Sequence, residues 1–360
     1  MNHRSKKNIL GFVLAGMTSI AAMTTPTSAD TFALRVGAGH PAALAYVGQL
    51  KEFFLPELAK RVEERTEHKI TYVEAYGGSV AKLPEVYDAV ESGLLDIGAL
   101  STPFEPSSMF LMQFGYKVPF VSNNAQEMFK VGRAVFNDFP PLAESMAKHN
   151  QILLAMLASS SYSIILNKEV TGMEDLNGLK IAGGGANLDW LSNVGVVPVQ
   201  APLGEAYNSL QTGVLDGYLV HLQGMNAFKL HEVAPYIFRI NFMSNPSNNL
   251  LSIRKQTFDS FPPEVQAIVL EVAAEYEERV NTIHAEDDGK ALATMIAGGA
   301  TEFVVSDADR AKWAKAISSI PQAAADDGVT RGEPMAELLT LYLEKLDEAG
   351  IKLPVQYTIK

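Results

Sequence analysis

Short strand-like stretches alternate with helix-like stretches along most of this chain. The stretches FALRVGAG (32–39), KITYVEAY (69–76) and LLDIGALS (94–101) predict three strands, and helical spacing of apolar residues predicts helices between them. The helix LPEVYDAVESG is predicted to end at Gly93. The first helix has the apolar face Leu44, Val47, Leu50, Phe54, Leu58 and Val62. Such alternation predicts α/β layers with mostly parallel sheets flanked by helices.

A second group of strands follows, and a long helix comes after it. The predicted strands are QILLAMLAS (151–159), YSIILNKEV (162–170), LKIAGGG (179–185), VVPVQAP (196–202), LDGYLVHL (215–222) and NNLLSIR (248–254). Residues 261–299 then predict one helix that begins near Pro263 and ends at Gly298 and Gly299. Its apolar positions keep helical spacing at Val265, Ile268, Val272, Tyr276, Val280 and Ile283. A helix of that length can brace two α/β units.

The first 29 residues have the pattern of a secretory signal peptide. A basic start, MNHRSKK, precedes an apolar stretch and a Thr-x-Ala ending, so cleavage is expected after Ala29. The alternative is a membrane anchor, but Gly11, Gly16 and Thr18 interrupt the apolar stretch, which is shorter than the roughly 20 residues of a span. We predict an exported, periplasmic protein of a Gram-negative type cell.

Charge and cysteine content exclude several classes of partner. Three of the 29 lysines and arginines and none of the 41 acids lie in the signal segment, which leaves 26 basic and 41 acidic residues. Nucleic acid is therefore not expected as a partner. The absence of cysteine rules out disulfides and thiolate metal sites.

Known catalytic motifs do not match the chain. GGGANL supplies two glycines of a dinucleotide fingerprint, but the third position is Leu188. No Walker lysine, Gly-x-Ser-x-Gly elbow or paired-histidine zinc helix occurs. We predict no enzyme, no cofactor and no metal site. Two alternatives remain: a periplasmic enzyme using His40, Glu105 or His221 as acid or base, and a ligand-free adaptor or signalling subunit.

A ligand site is predicted where the turns after the strands converge, because parallel α/β sheets bind ligands beyond the carboxyl ends of their strands. The turns are GAGHPAA (37–43), AYGGSV (75–80), LSTPFEP (100–106), SSSYS (159–163), AGGGAN (182–187) and LVHLQG (219–224). The candidate ligand-binding residues on or beside them are His40, Tyr76, Gly77, Thr102, Phe104, Glu105, Tyr162, Ser163, Gly183, Gly184, Gly185, Asn187, Trp190, Tyr218 and His221.

The order of these turns and three longer stretches carry a family resemblance. YGGSVAKLPEVYDAVESGLLDIGAL, MEDLNGLKI and EAYNSLQTGVLDGY are similar to the extracytoplasmic solute receptors of TRAP transporters, of the DctP type. The resemblance runs from about Phe32 to Gly299. It implies a two-lobed periplasmic binding protein, type II-like, with a long lobe-bridging helix, a small-molecule solute in the cleft and a TRAP membrane permease as partner. We expect lobe I at 31–157 and 246–285, lobe II at 158–245 and 286–340, and a C-terminal segment at 341–360.

The chain departs from this family at its expected ligand clamps. The resemblance implies arginines at the positions of Ala182 and Ser163, and acidic or amide residues where Leu219, Val220 and His221 stand. Without those arginines, backbone N–H groups of the triglycine turn at 183–185 are expected to hold a carboxylate at a helix N-terminus, assisted by Asn187. The alternative is that the glycines only permit close packing.

Aromatic residues near the turns suggest the kind of solute. A ring-bearing monocarboxylate would stack on them, and a small amine or amino alcohol is the alternative, held by cation–π contacts and by Glu105 or Asp189. For Trp190 we also weigh simple core packing. The aromatic and imidazole residues concerned are His40, Phe104, Tyr162, Trp190 and Tyr218.

Overall fold

The chain folds around two β-sheets. A computed structural model describes Met1 and residues 29–105 and 107–360, so the predicted signal peptide, apart from its end residues, lies outside the described residues. None of the helices in the described ranges has the length and apolar character needed to cross a membrane. The strands are β1 Thr31–Ala38, β2 Lys69–Ala75, β3 Ile97–Ser101, β4 Gln151–Leu157, β5 Tyr162–Leu166, β6 Lys180–Gly183, β7 Val197–Gln200, β8 Gly217–His221, β9 Tyr236–Arg239, β10 Asn249–Arg254 and β11 Thr301–Val304.

Helices cover both sheets. A π-helical turn, Leu50–Phe54, joins the first two α-helices, and short 3₁₀ helices occupy Thr102–Phe104, Leu111–Lys117 and Gly185–Leu191. The α-helices are α1 Ala45–Gln49, α2 Leu55–Arg65, α3 Val86–Ser92, α4 Ala125–Asp138, α5 Pro140–Lys148, α6 Ala206–Gln211, α7 Leu222–Ala227, α8 Lys255–Asp259, α9 Pro263–Ala297, α10 Asp307–Ala316, α11 Ile320–Arg331 and α12 Met335–Glu348.

Each sheet is mostly parallel, as predicted, with one antiparallel strand. The first sheet has the order β2-β1-β3-β10-β4 and the second β11-β9-β5-β8-β6-β7. Strand β10 is antiparallel to β3 and β4, and β5 is antiparallel to β8 and β9. Both antiparallel strands directly follow a point where the chain passes from one sheet to the other. Because no crossover helix returns the chain there, the incoming strand runs in the opposite direction.

The predicted apolar faces form the cores. All six residues of the first predicted face are at most 2% exposed. Helix α3 ends, as predicted, at Gly93, whose φ of 80° lies in the left-handed region that glycine adopts without strain. Strands β9 and β11, which complete one edge of the second sheet, were not identified from the sequence.

Helix α9 spans both cores, as predicted. Val265, Val272 and Val280 are buried against the first sheet, whereas Ala291 and Met295 are buried against the second. Ile283, which the sequence placed on the same face, is only partly buried.

One predicted boundary, the start of a C-terminal segment, does not coincide with the end of a helix. The expected boundary between residues 340 and 341 falls inside α12. This helix packs on the 3₁₀ helix Leu111–Lys117 and on α4, because Tyr342 forms an edge contact with Phe114 at 5.0 Å between ring centroids and Lys345 pairs with Asp138 at 2.9 Å. Beyond it, the hydroxyl of Tyr357 donates to the carbonyl of Pro119.

A polar stripe on α9 lies against the segment that joins β4 to β5. Its members, separated by four, three and four residues, share one face of the helix. A carboxylate oxygen of Glu277 accepts from the backbone N–H of Met156 at 2.5 Å. Asn281 accepts from the N–H of Ala158 at 2.8 Å and donates to the carbonyl of Met156 at 3.1 Å.

The next turns of α9 continue this stripe. Nδ1 of His284 lies 2.5 Å from the carbonyl oxygen of Ala158, and Asp288 accepts from the backbone N–H of Ser161 at 2.8 Å. The side chains of Glu277, Asn281, His284 and Asp288 therefore bond five backbone groups of residues 156–161: the N–H and carbonyl groups of Met156 and Ala158, and the N–H of Ser161.

The two segments that cross between the sheets also bond to each other. The hydroxyl of Ser244 donates to the carbonyl of Ser159 at 2.5 Å, and the backbone N–H of Ser159 donates to the carbonyl of Asn245 at 2.9 Å. The N–H of Asn245 donates in turn to the Ser159 hydroxyl at 2.9 Å. The crossing is thus a continuous hydrogen-bonded unit of two strands' ends and one helix.

Removing one member of the stripe should destabilise the whole fold. Asn281→Ala leaves the N–H of Ala158 and the carbonyl of Met156 buried without a side-chain partner, so we expect a loss of about 2–3 kcal/mol in the free energy of unfolding. Urea denaturation measures it. Asn208→Ala, an exposed substitution on α6, is the matched control and should cost less than about 0.5 kcal/mol. Equal losses in both variants would contradict a structural role for the stripe.

Candidate functional site

A buried cavity lies between the two sheets, at the carboxyl ends of β1, β3, β6 and β8. The space between its atoms, including the solvent at its opening, is about 500 Å³, and the centre of a water molecule can reach about 30 Å³. Five of the six predicted turns contribute to its wall. The predicted residues that line it are His40, Phe104, Tyr162, Gly184, Asn187, Tyr218 and His221.

The other predicted residues lie elsewhere. The hydroxyl of Thr102 donates to the carbonyl of Ser247 at 2.7 Å, and the fully buried Ser163 accepts from the N–H of Asn241 at 3.3 Å. Tyr76 donates to Glu74 at 2.8 Å. These three side chains are therefore engaged in local structure and do not reach the cavity.

Glu105 is buried outside the cavity. Burial raises the pKa of its carboxyl group to about 8, and neighbouring Asp88 and Glu85 add to the increase. Its position near these acids places it beside α3. The second acid considered for a cationic solute, Asp189, is exposed and pairs with Lys117 at 3.2 Å. Neither acid is available to a ligand in the cavity.

Trp190 is a core residue, as in the core-packing alternative that the sequence analysis weighed. It is fully buried, stacks on Tyr116 at 5.6 Å between ring centroids and donates its Nε1–H to the carbonyl of Tyr116 at 2.8 Å. Its backbone carbonyl accepts from Trp313 Nε1 at 2.7 Å. The edge of Trp190 meets the ring of Tyr162 at 5.4 Å, so it supports a cavity residue from behind.

The triglycine turn permits a close approach between the two sheets' loops. A Cβ on Gly184 would lie 3.1 Å from Cζ of Phe104, and one on Gly185 would lie 3.2 Å from the carbonyl oxygen of Pro103. Gly184 alone of the three lines the cavity, and Gly183 and Gly185 do not. The close-packing interpretation of the turn therefore fits better than a row of backbone amides around a carboxylate. The helix that follows is a 3₁₀ helix of seven residues.

Three histidines line the cavity, and the sequence identified only two of them. Burial lowers the pKa of His40 to about 4 and, together with repulsion from the other two imidazoles, that of His221 to about 3. Burial also lowers the pKa of His284, the residue that the sequence missed. The sequence feature that could have identified His284 is the regular spacing of polar residues along a face of α9 that is otherwise apolar. All three rings are therefore neutral at pH 7. No set of three metal-ligating residues occurs within the described ranges.

The cavity wall carries no ionic side chain in the part of the chain that the structure describes: lysine, arginine, aspartate and glutamate are all absent from it. Ala182 and Ser163 are fully buried and do not line it. By contrast, Leu219, Val220 and His221 do line it. These three positions, where the resemblance implied acidic or amide residues, are thus at the cavity. Two of them carry apolar side chains.

Neutral polar groups complete the wall. Oδ1 of Asn248 accepts from the hydroxyls of Tyr116 at 2.5 Å and Tyr162 at 2.7 Å, which fixes the amide. Two buried polar atoms, Nε2 of His40 and Oδ1 of Asn187, have no hydrogen-bond partner among the described residues. Unsatisfied buried groups are costly, so these atoms are suited to a ligand's donors and acceptors.

A wider groove lies outside the cavity, with about 830 Å³ accessible to water centres. Gly77 and Lys82 line it on one side and Gly204 on the other. His40, Phe104 and Leu203 belong to both walls and therefore lie between the groove and the cavity.

Comparison with known proteins identifies the family. The model of the bacterial extracellular solute-binding proteins, family 7 (DctP), matches residues 47–327. The chain belongs to this family. The predictions of a TRAP-type solute receptor that is not an enzyme are thereby confirmed, and the family is extracytoplasmic.

Three relatives illustrate the range of the DctP family. A solute-binding protein of Albidiferax ferrireducens is 24% identical over 310 residues, covering 84% of this chain and 90% of its own. A Rhodoferax ferrireducens TRAP solute-binding protein with copurified benzoate matches with a TM-score of 0.76 at 15% identity, and the match covers 88% of this chain and 98% of that protein. A Bordetella pertussis receptor binding pyroglutamic acid matches with a TM-score of 0.75 at 18% identity, and the match covers 88% of this chain and 99% of that receptor. These structures confirm the two-lobed fold.

Burial of His40 in this DctP receptor should produce a pH-dependent loss of stability. Its pKa is about 4 when folded and 6.5 without burial, so the unfolded chain binds the extra proton as pH falls below about 6.5. When the pH falls from 7 to 5, the free energy of unfolding of His40→Asn should therefore decrease by about 2 kcal/mol less than that of the native protein. Thermal and urea unfolding at both pH values measure this difference. Tyr46→Phe, which keeps the imidazole and removes its 2.8 Å partner, should retain the native pH dependence. Parallel pH profiles of His40→Asn and the native protein would contradict the burial effect.

Proposed function

We propose that this receptor captures a small ring-bearing monocarboxylate in the cavity and delivers it to a TRAP membrane permease in the periplasm, after removal of the signal peptide. The observation that supports this most is a wall of aromatic and imidazole rings without any ionic side chain within the described residues. Two structurally similar receptors bind benzoate and pyroglutamic acid, which each combine one ring with one carboxyl group. Flat faces suit such solutes through stacking.

The uncharged wall argues against other solute classes. A dicarboxylate would bury two negative charges where no arginine or lysine compensates them, and each unpaired buried charge costs several kcal/mol. A cationic amine lacks an acid partner, because Glu105 and Asp189 do not line the cavity. Among charged solutes, one with a single carboxylate beside neutral hydrogen-bond donors is the kind that this wall tolerates best.

We infer that the two lobes close over the solute. Lobe I comprises residues 31–157 and 246–285 together with the C-terminal helices at 320–348, and lobe II comprises residues 158–245 and 286–319. The hinge lies at the bonded crossing segments 157–160 and 245–248. Gly184 of lobe II and Phe104 of lobe I approach each other at the cavity wall, where a Cβ on Gly184 would lie 3.1 Å from Cζ of Phe104.

A solute panel tests the proposed ligand class. Benzoate and pyroglutamate should raise the melting temperature of the purified receptor, since a ligand that binds only the folded state stabilises it. Succinate and a small amine such as choline should not. Isothermal titration calorimetry then ranks the affinities. Tighter binding of succinate or choline than of every ring-bearing monocarboxylate would contradict the proposal.

A side chain at Gly184 should oppose lobe closure. The added Cβ of Gly184→Ala meets the ring of Phe104 and Cβ of Pro103 at 3.1–3.2 Å, so one loop must shift. We expect about tenfold weaker binding, equivalent to roughly 1.4 kcal/mol, and a larger radius of gyration with saturating solute. Gly204 lines the outer groove, and a Cβ added there would have no heavy atom within 4 Å. Gly204→Ala is therefore the matched control. Unchanged affinity and scattering in Gly184→Ala would count against closure at this contact.

A further inference from the structure

His221, which lines the cavity, is fixed in the tautomer that has its hydrogen-bond donor on Nε2. It precedes α7, and its Nδ1 accepts the backbone N–H of Gly224 at 3.0 Å, which caps the helix. An accepting Nδ1 carries no proton, so the proton of the neutral ring is on Nε2. Nε2 has no protein partner within the described ranges, and the residue lines the cavity. Protonation of this ring would require Nδ1 to lose the cap.

His284 has the opposite tautomer. Its Nδ1 lies 2.5 Å from the carbonyl oxygen of Ala158, and because a carbonyl only accepts, Nδ1 carries the proton. Nε2 of the neutral ring is then an unprotonated acceptor. The described residues provide no partner for it either, and His284 also lines the cavity. Unlike His221, this ring can take a second proton without losing its existing hydrogen bond.

The two imidazoles thus provide one donor and one proton acceptor in a cavity with no ionic side chain. We propose that the solute carboxylate binds together with one proton from solvent, which is held between a carboxylate oxygen and Nε2 of His284, while Nε2–H of His221 donates to the same carboxylate. This assignment rests on the proposed function. In this proposal the two imidazoles bind the carboxylate, the role that the resemblance implied for arginines at the positions of Ala182 and Ser163.

The surroundings allow His284 to carry the shared proton. Burial opposes the protonated ring in the absence of an anion, whereas the carbonyl of Ala158 and, on its own helix, Asp287 favour it. A carboxylate brought to Nε2 supplies the missing counter-charge, so the pair enters the complex without net charge. His40 is the third imidazole, and its tautomer is left open by the hydroxyl of Tyr46. The titratable groups around the ring are His40, Tyr46, Tyr162, Tyr218, His221, Asp287 and Asp288.

Proton uptake is the measurement that tests this assignment. Calorimetric titration of benzoate at pH 7 in phosphate and in Tris, buffers with different ionisation enthalpies, should show uptake of about one proton per benzoate bound. The dissociation constant should rise about tenfold for each pH unit between 6 and 8. His284→Asn keeps a donor to Ala158 and removes Nε2, so binding should weaken and proton uptake should vanish. His149→Asn, on the surface away from the cavity, is the matched control and should bind with native uptake.

Distinct results would overturn the assignment. Binding of benzoate without proton uptake, or native uptake in His284→Asn, would refute the role of His284 and leave the proposed function standing. Loss of uptake in His221→Asn with retention in His284→Asn would place the proton on the other ring. A lack of benzoate and pyroglutamate binding even at pH 5.5, where affinity should be highest, would refute the proposed function as well.

A ligand-free measurement tests the two tautomers separately. Long-range ¹H–¹⁵N spectra of the whole receptor, assigned with His284→Asn and His221→Asn, should show Nδ1–H for His284 and Nε2–H for His221. The reverse tautomers, or a protonated His284 at pH 7 without solute, would overturn the proposal whatever the solute proves to be.

Discussion

The crossing between the two sheets imposes the main physical constraint on this fold. Two chain segments and one helix meet there, in a buried region where sheet hydrogen bonding stops. Buried backbone groups need partners, and α9 provides them through Asn281 and the other members of its polar stripe. Water cannot replace these side chains in a buried crossing without opening it. A long helix with a polar stripe on its buried face is therefore what allows two lobes to share one short junction.

His284 connects this junction to the cavity. One ring nitrogen bonds to Ala158 in the crossing segment, and the ring also lines the cavity. A change in protonation or in ligand contact at Nε2 acts on the same rigid ring whose Nδ1 holds the junction. Local coupling of this kind needs no pathway across the protein, because a single side chain takes part in both interactions.

Sequence periodicity predicted the elements that local patterns determine. The apolar face that runs from Leu44 through α1 and α2, the end of α3 at Gly93 and the length of α9 follow from spacing and glycine chemistry, and they are confirmed. The candidate site was predicted in part, because strand ends converge in any parallel sheet. What failed depends on contacts between distant segments. Trp190 and Tyr116 are 74 positions apart, and no local pattern shows that their rings stack.

The uncharged cavity also determines what kind of selectivity is available to the receptor. A buried arginine would require a counter-charge at all times, whereas neutral imidazoles leave the wall without an unpaired ion before binding. If a proton accompanies the carboxylate, the net charge inside the cavity is zero both before and after binding. Charge alone then cannot distinguish one monocarboxylate from another. Discrimination must come from the fit of the ring between side chains such as Tyr162 and Phe104 and from the fixed donor and acceptor positions of the two imidazoles.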